Sequence, residues 1–509
     1  MISDTKKNIL KTFTFLMIAL AVVASGCKKS RSDMGKVLYK KTKNKVFKDV
    51  TPEGFAEVFQ KVLDSEKTSL TYPQVIKSFY DQNGYDPVFV MDHIFNGDDK
   101  AAVEYYQKAS EHGLNPELFK GQQIADLVNK FYQKKGIKNL NEAYHDMAEL
   151  ELLSANSLIL YSNALQYGIV NPKRIYSRYF IETKRPDTSA MSSIFYVKNL
   201  KTYLDSIQPK NPQYVALQKA LVTNYQAPGL SAEQTKRIIA VNLERLRWKN
   251  KPTQNKYVLV NIPAYSLDVM EHGKSVLNMK VCVGEGRNKD FAYNIENYAD
   301  SCKVDKPGPH ETPQLNSLIY CVDVNPIWNI PQSIVTKEIA RLADKDPYYL
   351  SNKGINVFHG GKMIDPDNVD WADVAKNGDD YEFKQKPGDE NSLGKIKFLF
   401  PNKSSVYLHD TPAKAAFNKA DRDVSHGCVR LGDPQGLALN LFGQGPKYDL
   451  IVKDMAADKP DPTTINLPAK VPVYITYVTS WADSTGNVQF AKDVYGLDAV
   501  LYNALASVK

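Results

Sequence analysis

Two periods of apolar residues divide this chain. From about residue 60 to 250 the hydrophobic side chains recur at three- and four-residue steps, the spacing that gathers them on one face of an α-helix. Val75, Ile76, Phe79 and Tyr80 follow Pro73, and the run 101–110 is stopped by Gly113. A long segment from Glu142 carries Met147, Leu150, Leu158, Tyr161 and Leu165 to Gly168. Ser231-Ala232-Glu233-Gln234 is a capping box that opens a helix with Ile239, Leu243 and Leu246 on one stripe. His93, His112 and His145 lie among these helices without acidic or cysteine partners at useful spacing, and read as structural or surface histidines.

After Trp248 the period falls to two. Residues 256–262, 277–281 and 319–324 are rich in β-branched and aromatic side chains, and further short strands are expected at 406–409, 448–453, 473–478 and 487–490. Many short strands separated by turns predict an all-β sandwich or barrel. Between residues 329 and 401 the alternation breaks into a helix-like stretch, 333–342, and polar turns at Gly360-Gly361, Asn377-Gly378 and Pro387-Gly388, so residues 331–400 read as a lid inserted over the β domain. The fold class is α+β, a mainly helical N-terminal scaffold followed by an all-β domain. With 509 residues the chain is too long for a single core.

The N-terminus changes the picture of where this happens. Lys6, Lys7 and Lys11 precede an apolar run that ends at Ala24-Ser25-Gly26-Cys27, the layout of an export signal, and too short to cross a bilayer comfortably. Ala24-Ser25-Gly26-Cys27 resembles the bacterial lipoprotein box, which implies lipidation of Cys27 and a membrane anchor. Residues 28–48 hold nine Lys or Arg and read as a solvated basic tether. The expected organisation is a signal over 1–26, a tether over 27–62, a helical scaffold over 63–249, and the β domain over 250–509. The formal charge falls from +8 to +6 once residues 1–26, with three Lys and one Asp, are removed. That balance suits an anionic polymer outside the membrane, and with no basic recognition helix it argues against nucleic acid. Of the five cysteines, Cys282, Cys302 and Cys321 are an odd number, open to one disulfide or to three reduced thiols.

Candidate chemistry is concentrated in Ser425-His426-Gly427-Cys428-Val429-Arg430 and in Tyr407-Leu408-His409-Asp410-Thr411-Pro412, about twenty residues expected to form a hairpin. A thiol becomes a nucleophile when an imidazole removes its proton, which makes Cys428 the candidate nucleophile. Gly427 frees the backbone before it and lets an amide N–H approach an oxyanion. A zinc site lacks a fourth ligand of suitable spacing, and neither metal nor cofactor is expected.

These residues resemble the L,D-transpeptidases of bacterial cell walls (YkuD-type catalytic domain), in particular a large branch with a helical scaffold. The motif stands here as Ser425-His426-Gly427-Cys428, and His409, in Leu-His-Asp-Thr-Pro, precedes the cysteine by nineteen residues. Asn325-Pro326-Ile327-Trp328 is similar to the family's aromatic turn, and Asn391-Ser392-Leu393-Gly394 to the segment leading into the site. The resemblance implies attack by Cys428 on a peptidoglycan stem peptide, a thioester, and a 3→3 cross-link. His409 would be the base, its second nitrogen held by the Asp410 backbone carbonyl, with the Gly427 and Cys428 amides as oxyanion donors. Tyr407, Trp328, His426 and Arg430 would shape the pocket or hold a stem carboxylate. It also implies carbapenem-type inhibitors and a periplasmic location. An L,D-carboxypeptidase and a non-catalytic wall-binding lipoprotein are the alternatives.

Three features set the chain apart from the common family pattern. Arg430 stands where much of the wider family has Asn; the large branch also tends to Arg, so this residue narrows the subfamily. Only residues 222–230 occupy the place of the branch's peptidoglycan-binding module, which is therefore expected to be absent. Gly286-Arg287 and Thr312-Pro313 are separated by residues 288–311, including His310, which reads as a surface histidine.

Overall fold

The computed structural model describes residues 34–286 and 304–508. The export signal, the lipoprotein box with Cys27, and Cys302 lie outside the described residues. The chain divides into two compact units that do not follow chain order. One comprises residues up to Ser110 with Asn115–Gln166 and Pro186–Gln208; the other comprises Glu111–Leu114, Tyr167–Arg185 and Pro209–Lys509. The boundary expected at 249/250 is one of chain order, whereas the Pro212–Val222 and Ala232–Arg247 helices both fall in the second unit.

In the first unit the tether reading is corrected from residue 34 onward. Met34–Thr42 is a helix that buries Met34 and Leu38, and Pro52–Glu66 is another that buries Phe55, Phe59 and Leu63. The abundance of lysine obscured an i, i+4, i+8 apolar stripe, and the charges occupy the opposite face. Thr51 caps the second helix by accepting from the Gly54 N–H, and Pro52 supplies a first-turn residue with no N–H to satisfy. Leu140–Tyr167 runs through the interior of this unit and is buried along most of its length. Its Glu151 accepts from the Tyr80 hydroxyl at 2.5 Å and from the N–H groups of Val88, Phe89 and Val90 at 2.6–3.0 Å, so a helix start is capped from inside the core. Burial pushes this carboxyl up to about 7. His93 does have an acidic partner, Asp98 Oδ2 at 3.1 Å.

The second unit is organised by a closed barrel. Its strands are β1 Lys256–Asn261, β2 Ser266–Glu271, β3 Lys274–Gly284, β4 Gln314–Val324, β5 Ile396–Leu399, β6 Leu408–His409, β7 Val429–Leu431 and β8 Thr463–Thr476. Pairing runs β4-β5-β6-β7-β3-β2-β1-β8, and β8 pairs back onto β4 to complete the ring. Alternate side chains, among them Val258, Val260, Val281, Val322, Leu408, Val429, Leu431 and Val473, fill one core. Barrel rather than sandwich is therefore the outcome of the strand pattern. The expected hairpin at the motif is corrected: β6 and β7 pair in parallel, with Leu408 opposite Val429 and His409 opposite Arg430. Parallel neighbours need a crossover connection, here containing the turn Lys414–Asn418 and the strand Asp423–Ser425, which pairs with β3. A second correction concerns residues 448–453, which lie in the helix Pro446–Met455 started by Pro446.

The insertion is more than a polar loop. Trp328–Ile330, Tyr381–Gln385, Ile355–His359 and Lys362–Ile364 form a separate antiparallel sheet in that order. It has its own core of Ile330, Val335, Ile339, Leu350, Val357, Val374 and Phe383. The capping box at Ser231 is present in full. From that helix Arg245 Nη1 reaches Asp498 Oδ1 at 2.5 Å, both residues buried.

Candidate active site

Pleating decides which residues of β6 and β7 meet solvent. Leu408, Val429 and Leu431 point into the barrel core, so Tyr407, His409, Cys428 and Arg430 fall on the opposite face. There they line one cavity of about 600 Å³ together with Trp328, Ile334, Glu338, Leu342, Leu393, His310 and His426. The inserted sheet and its helix supply the far wall, through Pro331, Tyr349, Ile355 and Gln385.

His409 is buried, and its Nδ1 donates to the Asp410 carbonyl oxygen at 2.5 Å. That bond fixes the tautomer and leaves Nε2 as the basic nitrogen. Asp410 is in turn held at three points. Its N–H donates to the Ile396 carbonyl at 2.9 Å, its Oδ2 accepts from the Lys395 N–H at 2.9 Å, and its Oδ1 pairs with Lys414. Gly394, at φ +60°, is required beneath it, because a Cβ there would come within 2.4 Å of the Asp410 carboxylate. The carboxylate thus anchors the loop while the carbonyl faces the imidazole. Burial first, and the Arg430 charge second, pull His409 down to about 4.

Cys428 is half-buried, and burial pushes its thiol up, against hydrogen bonding from Tyr407 and the Arg430 charge. The resting pair is therefore neutral imidazole and neutral thiol. Tyr407 stands beside both: its ring meets that of His409 edge-on at 5.6 Å, and it lines the same cavity as Cys428 and Trp328. Arg430 is half-buried, and among the described residues its Nε has no hydrogen-bond partner.

The hairpin-like bend before the cysteine is held from several sides. Ser425 Oγ donates to the Cys428 carbonyl at 2.5 Å and accepts from the Gly427 N–H at 3.2 Å. The expectation that Gly427 contributes an oxyanion donor is therefore corrected, because that N–H is taken by Ser425. The Cys428 N–H has no acceptor among the described residues and is the backbone donor left over. Gly427 has φ +114°, where a side chain is strained. Thr312 was quoted in the sequence only as one end of a widened loop. In the structure its Oγ1 accepts from the Gly284 N–H and donates to the Gly427 carbonyl, both at 2.8 Å. Thr312 thus ties the Gly284 end of its strand to the residue before the cysteine.

His310 is also corrected: it lines the cavity, its ring 4.6 Å from that of His426. His426 Nε2 is bonded to the carboxylate of Glu338 in the insertion, a contact that no sequence pattern indicated. His359 stacks on Tyr381 at 4.1 Å, and His112 is buried against Tyr214, 2.9 Å from its hydroxyl; both are packing residues. Cys282, Cys321 and Cys428 are free thiols.

A closed β-barrel presenting a cysteine and a tautomer-fixed histidine in one cavity defines the class of domain. Residues 255–444 match the family described as L,D-transpeptidase catalytic domain, and residues 74–221 match that described as scaffold domain. A protein of Haemophilus influenzae (strain ATCC 51907 / DSM 11121 / KW20 / Rd), carrying the inferred name L,D-transpeptidase, is 30% identical over 261 residues, 51% of this chain and 48% of its own. The chain spans about half the length of that curated relative. It carries an L,D-transpeptidase catalytic domain together with a scaffold domain.

Proposed function

We propose that this protein is a peptidoglycan L,D-transpeptidase that forms 3→3 cross-links through a thioester on Cys428. The observation that carries the reading is the His409 Nδ1–Asp410 carbonyl bond, which leaves a neutral, basic Nε2 in the cavity that Cys428 lines. His409 takes the Cys428 proton, and the sulfur attacks the carbonyl of the L-centre that precedes a D-alanine. The Cys428 N–H stabilises the oxyanion by about 3 kcal/mol. The C–N bond breaks, the leaving amine takes the proton from His409, and the thioester remains. A side-chain amine of a second stem then attacks, its proton passes to His409, the C–S bond breaks, and the proton returns to the sulfur. Arg430, a cation on the cavity wall, holds a stem carboxylate, while Tyr407 and Trp328 shape the wall beside the thiol.

Export and lipidation at Cys27, giving a membrane-anchored periplasmic enzyme, complete the proposal. They are checked by mass spectrometry of the mature N-terminus. For the reaction, the purified protein and Cys428→Ala are incubated with disaccharide tetrapeptides and the products weighed. Cys428-dependent dimers support transpeptidation, tripeptides alone mean an L,D-carboxypeptidase, and no Cys428-dependent change means a non-catalytic wall-binding protein. A carbapenem adduct on Cys428 reports the reactivity of the thiol independently.

A further inference from the structure

The helix that walls the cavity opposite Cys428 is continuous through Gln332–Ile334, Val335–Ile339 and Ala340–Ala343, and its middle segment is a π-turn. Val335, Ile339 and Ala343 are buried, Val335 and Ile339 in the core of the insertion, and the cavity is lined by Ile334, Glu338 and Leu342, with Ile339 behind them. Glu338 is thus a lone carboxylate on an otherwise apolar wall stripe. Among the described residues one further carboxylate, Glu390, lines the cavity, and Lys353 Nζ occupies it at 2.6 Å. The partner of Glu338 is His426, two residues before Cys428, a group able to gain or lose a proton. Glu338 also lies close enough to Arg430 to act on its charge. A π-turn is costly and recurs at functional sites, which makes it notable that this one carries the carboxylate.

We infer that Glu338, His426 and Arg430 form the acceptor subsite, and that it selects an amine borne on a carbon that also bears a carboxylate. The inference rests on the transpeptidase reading and deepens it. Such an acceptor arrives as a zwitterion, with its carboxylate placed on Arg430 and its ammonium on Glu338. Attack on the thioester needs the free amine. The ammonium gives one proton to the Glu338–His426 pair, from which it passes to solvent, and the amine lone pair forms the new C–N bond as the C–S bond to Cys428 breaks. Water needs none of these groups, so the subsite sets the balance of cross-linking against hydrolysis.

The test uses the full chain with disaccharide tetrapeptides and hydroxylamine present together. Hydroxylamine is neutral at pH 7 and carries no carboxylate, so it reports the thioester without using the subsite. In Glu338→Gln the ratio of dimer to hydroxamate falls about tenfold or more, the worth of one charge-assisted hydrogen bond, and Glu338→Asp restores most of it. An unchanged ratio overturns the inference, whatever happens to the total rate. Loss of both products in parallel also overturns it, because it makes Glu338 a purely structural contact. A wild-type protein that forms hydroxamate but no dimer instead removes the transpeptidase reading on which the subsite depends.

Discussion

His409 and Asp410 are neighbours in the chain, and the imidazole Nδ1 of the first donates to the carbonyl oxygen of the second at 2.5 Å. The residue that follows the base thus orients it through the backbone, and its carboxylate is left to tie down the Gly394-Lys395 turn. Asp410→Asn keeps the carbonyl and is expected to lower the rate of Cys428 acylation by less than about tenfold, whereas His409→Gln lowers it about 10²- to 10⁴-fold. Stopped-flow acylation by a carbapenem measures both. Equal losses in the two variants would show that the carboxylate is the orienting group.

The pH dependence follows from the same residue. Burial and Arg430 hold His409 at about 4, so the imidazole stays neutral, and able to accept the thiol proton, well below the range of an exposed histidine. The acid limb of kcat/KM is expected near pH 4. Arg430→Gln removes a charge that disfavours the imidazolium, so the limb moves to higher pH. The sign for stability is the same: the unfolded chain takes up this proton near 6.5 and the folded chain only near 4, so stability falls as pH drops between them. An acid limb above pH 6 in the wild type would contradict the neutral resting pair.

Gly284 tests the support beneath the motif. A Cβ there would lie 1.8 Å from the His310 carbonyl oxygen and 3.0 Å from Gly427 Cα, with backbone on both sides. Gly284→Ala is expected to cost about 1–3 kcal/mol as an overpacked site and to slow acylation markedly. Gly360→Ala, at φ +55° with nothing within 4 Å, should cost about 1 kcal/mol and leave acylation alone. Thermal melts paired with acylation rates separate the two.

Arg245 and Asp498 offer a test remote from the cavity. Both are buried, and Asp498 Oδ2 also accepts from Thr479 Oγ1 at 2.6 Å. Asp498→Ala leaves a guanidinium in the core without its direct partner, with only the Asp493 carboxyl still acting on it, a loss of about 3–5 kcal/mol. Calorimetry should show a clearly lower melting temperature, with the midpoint for a surface variant such as Lys61→Ala unchanged. A loss below about 1 kcal/mol would place the pair among weakly contributing contacts.

Much of this site was legible because its information is local. The run from Tyr407 to Pro412 and that from Ser425 to Arg430 announce a base and a nucleophile by residue type, and the alternation around them announces strands. What escaped was set by contacts distant in sequence. Glu338 meets His426 across 88 residues, and Thr312 meets Gly427 across 115. Parallel pairing of β6 and β7 was hidden because two short strands carry no mark of relative direction. At residues 448–453 an apolar–polar run of six was too short to separate strand from helix, and Pro446 decided it. At 34–63 the error ran the other way: charge density outweighed an apolar stripe that Leu38, Phe55, Phe59 and Leu63 make plain once seen on helices.

Because His409 and Arg430 are matched across parallel strands, the nineteen residues from base to nucleophile are a length of connecting chain and not a catalytic distance. Before that connection reaches Asp423 it is pinned to the barrel, because Arg422 donates to the Val281 and Tyr265 carbonyls and its own carbonyl accepts from the Val283 N–H. A slip of β7 by a single residue would turn every side chain to the other face of the barrel wall. Cys428 would then point inward among Leu408 and Leu431, and Val429 would occupy the cavity. The chemistry of this segment therefore depends on the parity of the strand.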